Sequence, residues 1–493
     1  MRFFKWLHPG LHIKRWLFLF GLGMMATSFG LVLTFNYQWL GQVEEWMFRL
    51  LYEMTGHYNY TVLATIGILV IVSGLFLMGW ATRRLIRTML GVVMPNESEN
   101  ISDLILSNLQ LAKGPKVVVI GGGTGLSVML RGLKTKTYNL TAVVTVADDG
   151  GSTGRIRQDL DIIAPGDLRN CLVALADKEG LMEKLFAHRF GGSGNLTGHS
   201  FGNLFIAALI EVLGDVEEAM DATSKVLKVR GKVIPASAEK IQLNAEMSDG
   251  RVICGESQIP HAHGKIKRVF TTPEQPKAIQ SAIEAIQEAD VIVLGPGSLY
   301  TSIMPNLCVP DIAAAVRASK AKKIYICNVM TQPGETDGYT VSDHVKAINQ
   351  HAGQEIVDFV IANSGDIDTA VLQRYADAGS QPVVIDKRCV GDLGATLLSA
   401  DLVNAEKGGT HDPKKLANVL FDLINALRTD LSPELLHYYL KRYELKRNLR
   451  RSKRRHTLCP LLNRLKMRLL TASRKTPPAA MPNWRLCCAW AGP

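Results

Sequence analysis

The sequence lacks the short motifs that mark several well-known catalytic and metal centres. No CxxC pair occurs among its eight cysteines, and no HExxH motif is present. The apolar surroundings of Cys171, Cys254 and Cys327 favour buried thiols in a reducing compartment. Zinc proteases of the HExxH type and thiol-bound metal sites are therefore not indicated.

Positive charge is also scarce in the middle of the chain, although the whole chain carries a formal net charge of +11. Residues 441–475 contain fourteen Lys or Arg against one Glu, and residues 1–95 contain eight basic against three acidic residues. Residues 96–440 are left with a net charge of −8. An acidic central region argues against a nucleic-acid-binding surface there.

Two long apolar segments without charge lie near the N-terminus, at residues 16–35 and 60–80. Each is long enough, at about 1.5 Å per residue, to cross a hydrocarbon layer of roughly 30 Å. Basic residues flank the pair, whereas the loop between the segments contains three Glu and one Arg. The positive-inside rule predicts a two-span membrane hairpin over residues 1–95, with both termini and the soluble domain on the cytoplasmic side. Residues 96–114 are the predicted linker.

Between residues 115 and 440, short runs rich in Val and Ile alternate with helical patterns. Apolar runs without alternation are typical of parallel strands that are buried on both faces. The strand–helix–strand order predicts a doubly wound, mostly parallel α/β sheet of Rossmann-like type. Residues 226–260 depart from this alternation of strands and helices, and their pattern predicts a small β-rich insert. The predicted strands are 116–120, 140–147, 290–294, 322–329, 356–363 and 382–386; predicted helices include 126–134, 276–289 and 341–350.

Glycines follow the first predicted strand and open the next helix, in "GGGTGLSVMLRGLK". Glycine lets a backbone turn sharply and approach a phosphate closely. The segment matches neither the GxGxxG fingerprint nor a Walker loop, so phosphate binding and a simple tight connection both stand as interpretations. The candidate ligand-binding residues are Gly121, Gly122, Gly123, Thr124 and Gly125.

The second predicted strand runs into "VADDGGSTGRIR", where two carboxylates stand beside an anion-binding turn. A glycine- and hydroxyl-rich turn that leads into a helix directs free N–H groups and the helix dipole at an anion. Asp148 and Asp149 lie where a ribose-binding acid often follows a phosphate loop. We expect the carboxylates and the turn to hold different parts of one ligand. The candidates in the turn are Gly151, Ser152, Thr153 and Arg155.

Three further polar segments strengthen the prediction of a ligand site. In "PGDLRNC", Asp167 is expected to cap the following helix, and Arg169 and Asn170 are placed to reach a ligand. In "GHSFGNL", His199 and Asn203 open an apolar helix, where a structural histidine is the plainer interpretation. Several polar strand ends at one edge of a parallel sheet predict a binding site. A second anion or sugar site is predicted at Gly295, Gly297, Ser298, Tyr300 and Thr301.

Five strings in this order resemble the YvcK branch of the CofD-like family, over about residues 115–430. They are "GGGTGLSVMLRGLK", "TVADDGGSTGRIR", "PGDLRNCLVALAD", "GHSFGNL" and "LGPGSLYTSIMPNLCVP". The resemblance implies a gluconeogenesis factor that binds a UDP-sugar, such as UDP-N-acetylglucosamine or UDP-glucose. It also implies a role in cell shape and peptidoglycan-linked carbon metabolism during gluconeogenic growth. The related CofD enzymes transfer a phospholactyl group from a nucleotide diphosphate donor to a deazaflavin precursor, with magnesium.

The resemblance assigns roles to particular residues. The loops 121–125 and 295–298 would hold the diphosphate, and Asp148 and Asp149 would sit beside the ribose or a Mg²⁺ ion. Tyr375 lies where relatives carry an aromatic residue near the sugar nucleotide. Relatives carry a basic residue just before His-Asp-Pro, but this chain has Thr410 there.

The basic tail, residues 441–493, has no recognisable fold. We prefer the hypothesis that this tail binds anionic lipid over the hypothesis that it binds nucleic acid. Each basic residue near a membrane surface contributes roughly 1 kcal/mol of attraction to anionic lipid. The expected partners are therefore a UDP-sugar and the membrane, with no nucleic acid, and a homo-oligomer stays open. A sugar-nucleotide-binding regulator competes with a CofD-type magnesium-dependent transferase. An NAD(P) oxidoreductase is disfavoured by the missing fingerprint.

Overall fold

The computed structural model describes residues 36–56, 109–177, 180–404 and 408–428, together with the isolated residues 24, 28, 65 and 79. Two compact units are present, Met1–Gly114 and Pro115–Pro493. In the first unit, helix α1 spans Asn36–Thr55, between the two predicted membrane spans. Apart from isolated residues, those spans lie outside the described part of the chain, as does the basic tail.

The helices that the structure describes were compared with the length and composition of a membrane span. No single helix there is long and apolar enough to cross a membrane. One pair of helical segments, Leu299–Leu307 and Pro310–Ala318, passes the length and composition test together, but it bends by 80°. The membrane hairpin therefore stays a prediction.

Seven parallel strands form the central sheet of the second unit, as predicted. Their Val and Ile side chains are buried, because helices cover the strands and leave no solvent-facing side that would need polar residues. Val117, on an interior strand, lies opposite Leu140 on one side and Val291 on the other. In order across the sheet, the strands are β10 (Thr396–Ala400), β9 (Phe359–Asn363), β8 (Lys322–Ile326), β7 (Val291–Leu294), β1 (Val117–Gly121), β2 (Leu140–Val144) and β3 (Lys232–Pro235).

The helices pack in two groups around this sheet. In chain order they are α2 (Gly123–Leu133), α3 (Gly151–Leu160), α4 (Gly166–Leu175), α5 (Leu181–Ala187), α6 (Phe201–Leu213), α7 (Val216–Leu227), α8 (Gln280–Glu288), α9 (Met304–Leu307), α10 (Pro310–Ala318), α11 (Val341–Ala352), α12 (Thr369–Asp377), α13 (Lys387–Asp392) and α14 (Pro413–Arg428). Helix α2 packs between α4 and α14, and α8 packs against α10. A short π-helical turn, Leu299–Ile303, leads directly into α9.

The β-rich insert is a three-stranded antiparallel sheet with β4 (Gln242–Met247) at its centre. Its flanking strands are β5 (Val252–Cys254) and β6 (Ile266–Thr272), and a 3₁₀ segment, Glu256–His261, lies between them. The insert was predicted at 226–260, but its first strand in that range belongs elsewhere. Residues Lys232–Pro235 join the central sheet as β3, pairing parallel with β2.

One predicted strand is wrong, and two strands were missed: β6, which lies beyond the predicted insert, and β10. Residues 382–386 form only isolated bridges, through Pro382 and Val384, and the Val384 side chain is 62% exposed. A proline donates no N–H to a ladder, so this stretch does not extend the sheet. Strand β10 takes the edge position instead. Its sequence, "TLLSA", has no Val or Ile and carries no clear strand pattern.

Helices α2 and α14 approach closely at Gly132, which generates a test of the packing. A Cβ there would overlap the Pro413 carbonyl oxygen and lie 2.7 Å from the Ala417 Cβ. We expect Gly132→Ala to lower the free energy of unfolding by about 1–3 kcal/mol in chemical denaturation, because the core is overpacked. Gly391→Ala, where a Cβ meets nothing within 4 Å, is the control. Equal stability of the two variants would contradict this packing.

Candidate functional site

The carboxyl ends of β1 and β7 meet where the strand order of the sheet reverses. From β1 the sheet continues through β2 to β3, and from β7 it continues through β8 and β9 to β10 on the other side. A Cβ on Gly125 would lie 2.9 Å from the Pro296 carbonyl oxygen and 3.1 Å from the Gly297 Cα. The two glycine-rich loops therefore touch only because Gly125 has no side chain. Open parallel sheets bind ligands at such switch points.

The first glycine loop is held by an internal carboxylate. Asp167 accepts a hydrogen bond from the Gly123 N–H at the start of α2. A Cβ on Gly122 would lie 2.5 Å from the Asp167 Oδ2, so this glycine makes room for the carboxylate. Burial, reinforced by the charge of Asp148, raises the pKa of Asp167 to about 7. The expectation that Asp167 caps α4 is wrong: Pro165 is the N-cap, without a side-chain hydrogen bond.

In the second loop, the two aspartates bond to different partners. The Asp148 Oδ1 accepts from the Gly150 N–H at 2.9 Å, and Thr153 also donates to this carboxylate. Burial raises the pKa of Asp148. The Asp149 Oδ1 accepts from the Ser257 N–H at 2.8 Å, which attaches the 3₁₀ segment of the insert to the loop after β2.

The third loop, after β7, also holds an internal carboxylate. The Glu335 side chain accepts hydrogen bonds from the hydroxyls of Ser298 and Thr301 and from the backbone N–H groups of Tyr300 and Thr301. Glu335 is buried, at 5% exposure, and burial raises its pKa. The Tyr300 hydroxyl bonds to the Tyr339 hydroxyl at 2.9 Å. The predicted second anion site is thus filled by a carboxylate of the protein itself.

Glu256 of the insert completes an acidic centre at the switch point. Its burial, and then the charges of Asp148, Asp167, Asp149 and Glu335, raise its pKa to about 8. Sequence reasoning did not name Glu256 or Glu335 as a site residue, because each follows a single glycine rather than a glycine-rich strand end. Among the described residues, no three His, Cys, Asp or Glu side chains form a group that could hold a metal ion. The magnesium ion at Asp148 and Asp149 stays a prediction.

A second polar network joins the helix starts of α3 and α6. The Ser152 Oγ lies 3.2 Å from the His199 Nδ1 and 3.4 Å from the Asn203 Nδ2. Ser200 caps α6 by accepting from the Asn203 N–H, and its hydroxyl also accepts from Arg169 at 2.5 Å. Burial lowers the pKa of His199. The structure therefore brings His199 and Asn203 together with Ser152, and it links them to Arg169.

Three of the predicted residues, Thr124, Arg169 and Asn170, line one cavity of about 350 Å³ beside α2 and α4. Arg131 and Arg189 line it as well and were missed. Arg131 lies seven residues after Thr124, two turns along the same face of α2, so helical spacing contained a signal for it. Arg189 lies between α5 and α6, and no sequence pattern linked it to the other residues of the cavity. The other lining residues are Ser127, Val128, Val173, Ala187, Asn404, Thr410, His411 and Pro413.

Other predicted residues lie outside the lining of this cavity. Gly151 and Arg155 are exposed, and the Arg155 guanidinium donates to the Thr197 carbonyl oxygen at 2.9 Å. Tyr375 on α12 packs against the loop just before Thr410, since a Cβ on Gly409 would lie 2.5 Å from the Tyr375 Cζ. Tyr375 thus borders the segment that carries Thr410.

The open parallel sheet defines a doubly wound α/β protein. Its polar, glycine-rich strand ends lie at the switch point, where proteins of this class bind their ligands. A family model described as 2-phospho-L-lactate transferase CofD matches residues 117–403. The chain belongs to the CofD family, in the branch of the gluconeogenesis factors.

Individual relatives support this membership over most of the chain. The Bacillus subtilis (strain 168) protein named gluconeogenesis factor is 51% identical over 315 residues, which cover 64% of this chain and 99% of that protein. A relative from Nostoc sp. (strain PCC 7120) is 48% identical over 424 residues, 85% of this chain and 92% of its own length. A crystal structure of a Bacillus halodurans protein matches with a TM-score of 0.61 and 51% identity, covering 62% of this chain and 99% of that one.

The acidic centre predicts a pH-dependent stability. Because the pKa of Glu256 in the folded state, about 8, lies above its ordinary value of 4.5, the stability it contributes is full below about pH 4.5 and is lost as pH rises towards 8. We expect Glu256→Gln to be more stable than the wild type at pH 8, with a difference that shrinks towards pH 5, in urea denaturation.

The matched control is Glu217→Gln, an exposed glutamate on α7. It should leave stability within about 0.5 kcal/mol of the wild type at every pH. A Glu256→Gln variant that loses stability most strongly at pH 8 would show that the charged form of Glu256 stabilises the fold, against this assignment.

Proposed function

We propose that this chain is a membrane-anchored regulator that binds a UDP-sugar and acts on cell shape and peptidoglycan-linked carbon metabolism during gluconeogenic growth. The gathering of Thr124, Arg169 and Asn170 in one cavity beside the switch point carries the proposal. The name gluconeogenesis factor, borne by the Bacillus subtilis relative, supports the metabolic part.

The chemistry of the site suits the two ends of such a ligand. Guanidinium groups in the cavity offer charged, fork-shaped donors that match phosphate oxygens. Hydroxyl-bearing ribose and sugar rings pair with carboxylates and amides, which surround the neighbouring loops. A cavity of about 350 Å³ lies at the lower end of the range for small-molecule sites, so it suits part of a sugar nucleotide and leaves the rest in the open cleft.

Calorimetric titration tests the ligand class directly. We expect UDP-N-acetylglucosamine or UDP-glucose to bind, and GDP and NAD to bind more weakly, with or without magnesium. Asn170→Asp should weaken UDP-sugar binding at least tenfold, about 1.4 kcal/mol, since it places a carboxylate among the arginines.

The control is Gln350→Glu, which adds the same charge at an exposed position on α11. It should leave the affinity unchanged. Tight NAD binding without UDP-sugar binding would overturn the proposal.

A transferase of CofD type is the second candidate, favoured by the match to the CofD family model. Such an enzyme would use a nucleotide diphosphate-linked donor, with magnesium at Asp148 and Asp149. Its mark is metal-dependent transfer of the phospholactyl group from that donor to a deazaflavin acceptor, with release of the nucleoside monophosphate. Binding of a UDP-sugar without turnover favours the regulator.

Membrane anchoring is proposed for the N-terminal hairpin, with the basic tail as a second attachment. In a chain without residues 1–95, deletion of residues 441–475 should lower binding to vesicles of anionic lipid by tenfold or more. The expectation follows from roughly 1 kcal/mol per basic residue near the surface. Vesicles of neutral lipid serve as the control in co-sedimentation. Unchanged binding to anionic vesicles would show that the tail does not contact lipid.

A further inference from the structure

Three arginines from three separate segments converge on the cavity beside α2: Arg131 on α2, Arg169 on α4 and Arg189 between α5 and α6. We infer that these three guanidinium groups bind the diphosphate of the ligand, in place of the two glycine loops. The identity of the ligand rests on the proposed function, whereas the anion site rests on the cavity.

The two loops expected to hold a diphosphate already hold carboxylates of the protein. The Gly123 N–H donates to Asp167, and the N–H groups of Tyr300 and Thr301 donate to Glu335. A phosphate at either place would have to displace a carboxyl group that already accepts hydrogen bonds from these donors, and it would leave that group without partners. A buried polar group without partners is costly, so these loops are poor phosphate sites.

The cavity has the opposite electrostatic character. Thirteen described residues line it, and none of them is acidic. Loss of water, and then the positive charge of Arg189, lower the pKa of Arg169, so these two guanidiniums repel each other. Arg131 has a carboxylate nearby, Glu183, but the two groups lie 4.0 Å apart. The charges of Asp167 and Asp148 act on Arg169 in the opposite sense, each less strongly than Arg189 does, and a bound anion would add to that compensation.

Neutral acceptors orient two of the arginines without cancelling their charge. The Arg169 Nη1 donates to the Ser200 hydroxyl at 2.5 Å, and its Nη2 donates to the Asn170 Oδ1 at 2.6 Å. The Arg189 Nη1 donates to the Gly198 carbonyl oxygen at 3.0 Å. A guanidinium has five N–H donors, so each side chain is held in place and keeps donors for a ligand.

His411 adds a polar group to the cavity without adding charge. It is 7% exposed, and burial lowers its pKa to about 4, so the ring is neutral. Its Nε2 has no hydrogen-bond partner among the described residues. The arginines therefore supply all of the positive charge.

The experiment measures binding of inorganic pyrophosphate, uridine and UDP-N-acetylglucosamine to the full chain by calorimetry at fixed salt. We expect Arg131→Gln and Arg189→Gln each to weaken pyrophosphate and UDP-sugar binding about tenfold, and the double variant about a hundredfold. Glutamine keeps most of the side-chain stem, so packing is preserved. The control is Arg268→Gln, an exposed arginine on β6 that pairs with Glu246, which should change affinity less than twofold.

Each outcome separates this inference from the proposed function. If UDP-N-acetylglucosamine binds to the wild type and to the double variant equally well, the arginine site is wrong and the proposed ligand stands. If the wild type binds pyrophosphate through these arginines but no UDP-sugar, the anion site stands and the ligand is another polyphosphate. If no phosphate compound binds to the wild type, the inference is overturned. Should the double variant not fold, Arg131→Lys with Arg189→Lys supplies the test, with affinity retained only in part because lysine lacks the fork geometry.

Discussion

Hydrogen bonds from backbone N–H groups to buried carboxylates hold the loops of the site in place. Asp167 serves the loop after β1, Asp148 and Asp149 serve the loop after β2, and Glu335 serves the loop after β7. An unpaired N–H at a buried helix start costs about 1–3 kcal/mol, so the carboxylates stabilise turns that glycine alone leaves unsatisfied. Burial, and then the negative charge of Asp148, raise the pKa of Asp167 to about 7.

This arrangement answers a question that the sequence raises about two carboxylates beside an anion-binding turn. The hypothesis was that the acids and the turn hold different parts of one ligand. In the structure, Asp148 is itself an anion held by the turn, through the Gly150 N–H and the Thr153 hydroxyl. Positive charge gathers elsewhere, in the cavity lined by Arg131, Arg169 and Arg189. The arginine cavity adjoins the acidic centre through Arg169, which interacts with Asp167 and Asp148, and the two parts together suit a ligand with hydroxyls at one end and phosphates at the other.

Elements with a strong, physically constrained sequence pattern were predicted, and elements without one were not. Buried parallel strands such as β1 and β7 have uninterrupted apolar runs, because both faces are covered, and they were predicted to within a few residues. Edge positions are less constrained: "TLLSA" forms β10 without a strand pattern, and the apolar stretch 382–386 forms none. Arg131 lies on the same face of α2 as Thr124, so helical spacing could have predicted that both line one cavity. Arg189 joins the same cavity only through the packing of α5 and α6 against α4.

The sequence by itself determined the class of sheet, the glycine-rich strand ends and the family, because these depend on local patterns of apolar residues and on short strings. Tertiary structure decided which charges meet. Glu256 lies more than a hundred residues after Asp148, and Glu335 lies later still, yet both belong to one acidic centre. Electrostatic energy depends on distance in space and on exclusion of water, and neither is written in the spacing of residues along the chain. The division of the site into an acidic centre and an arginine cavity is therefore a property of the folded protein.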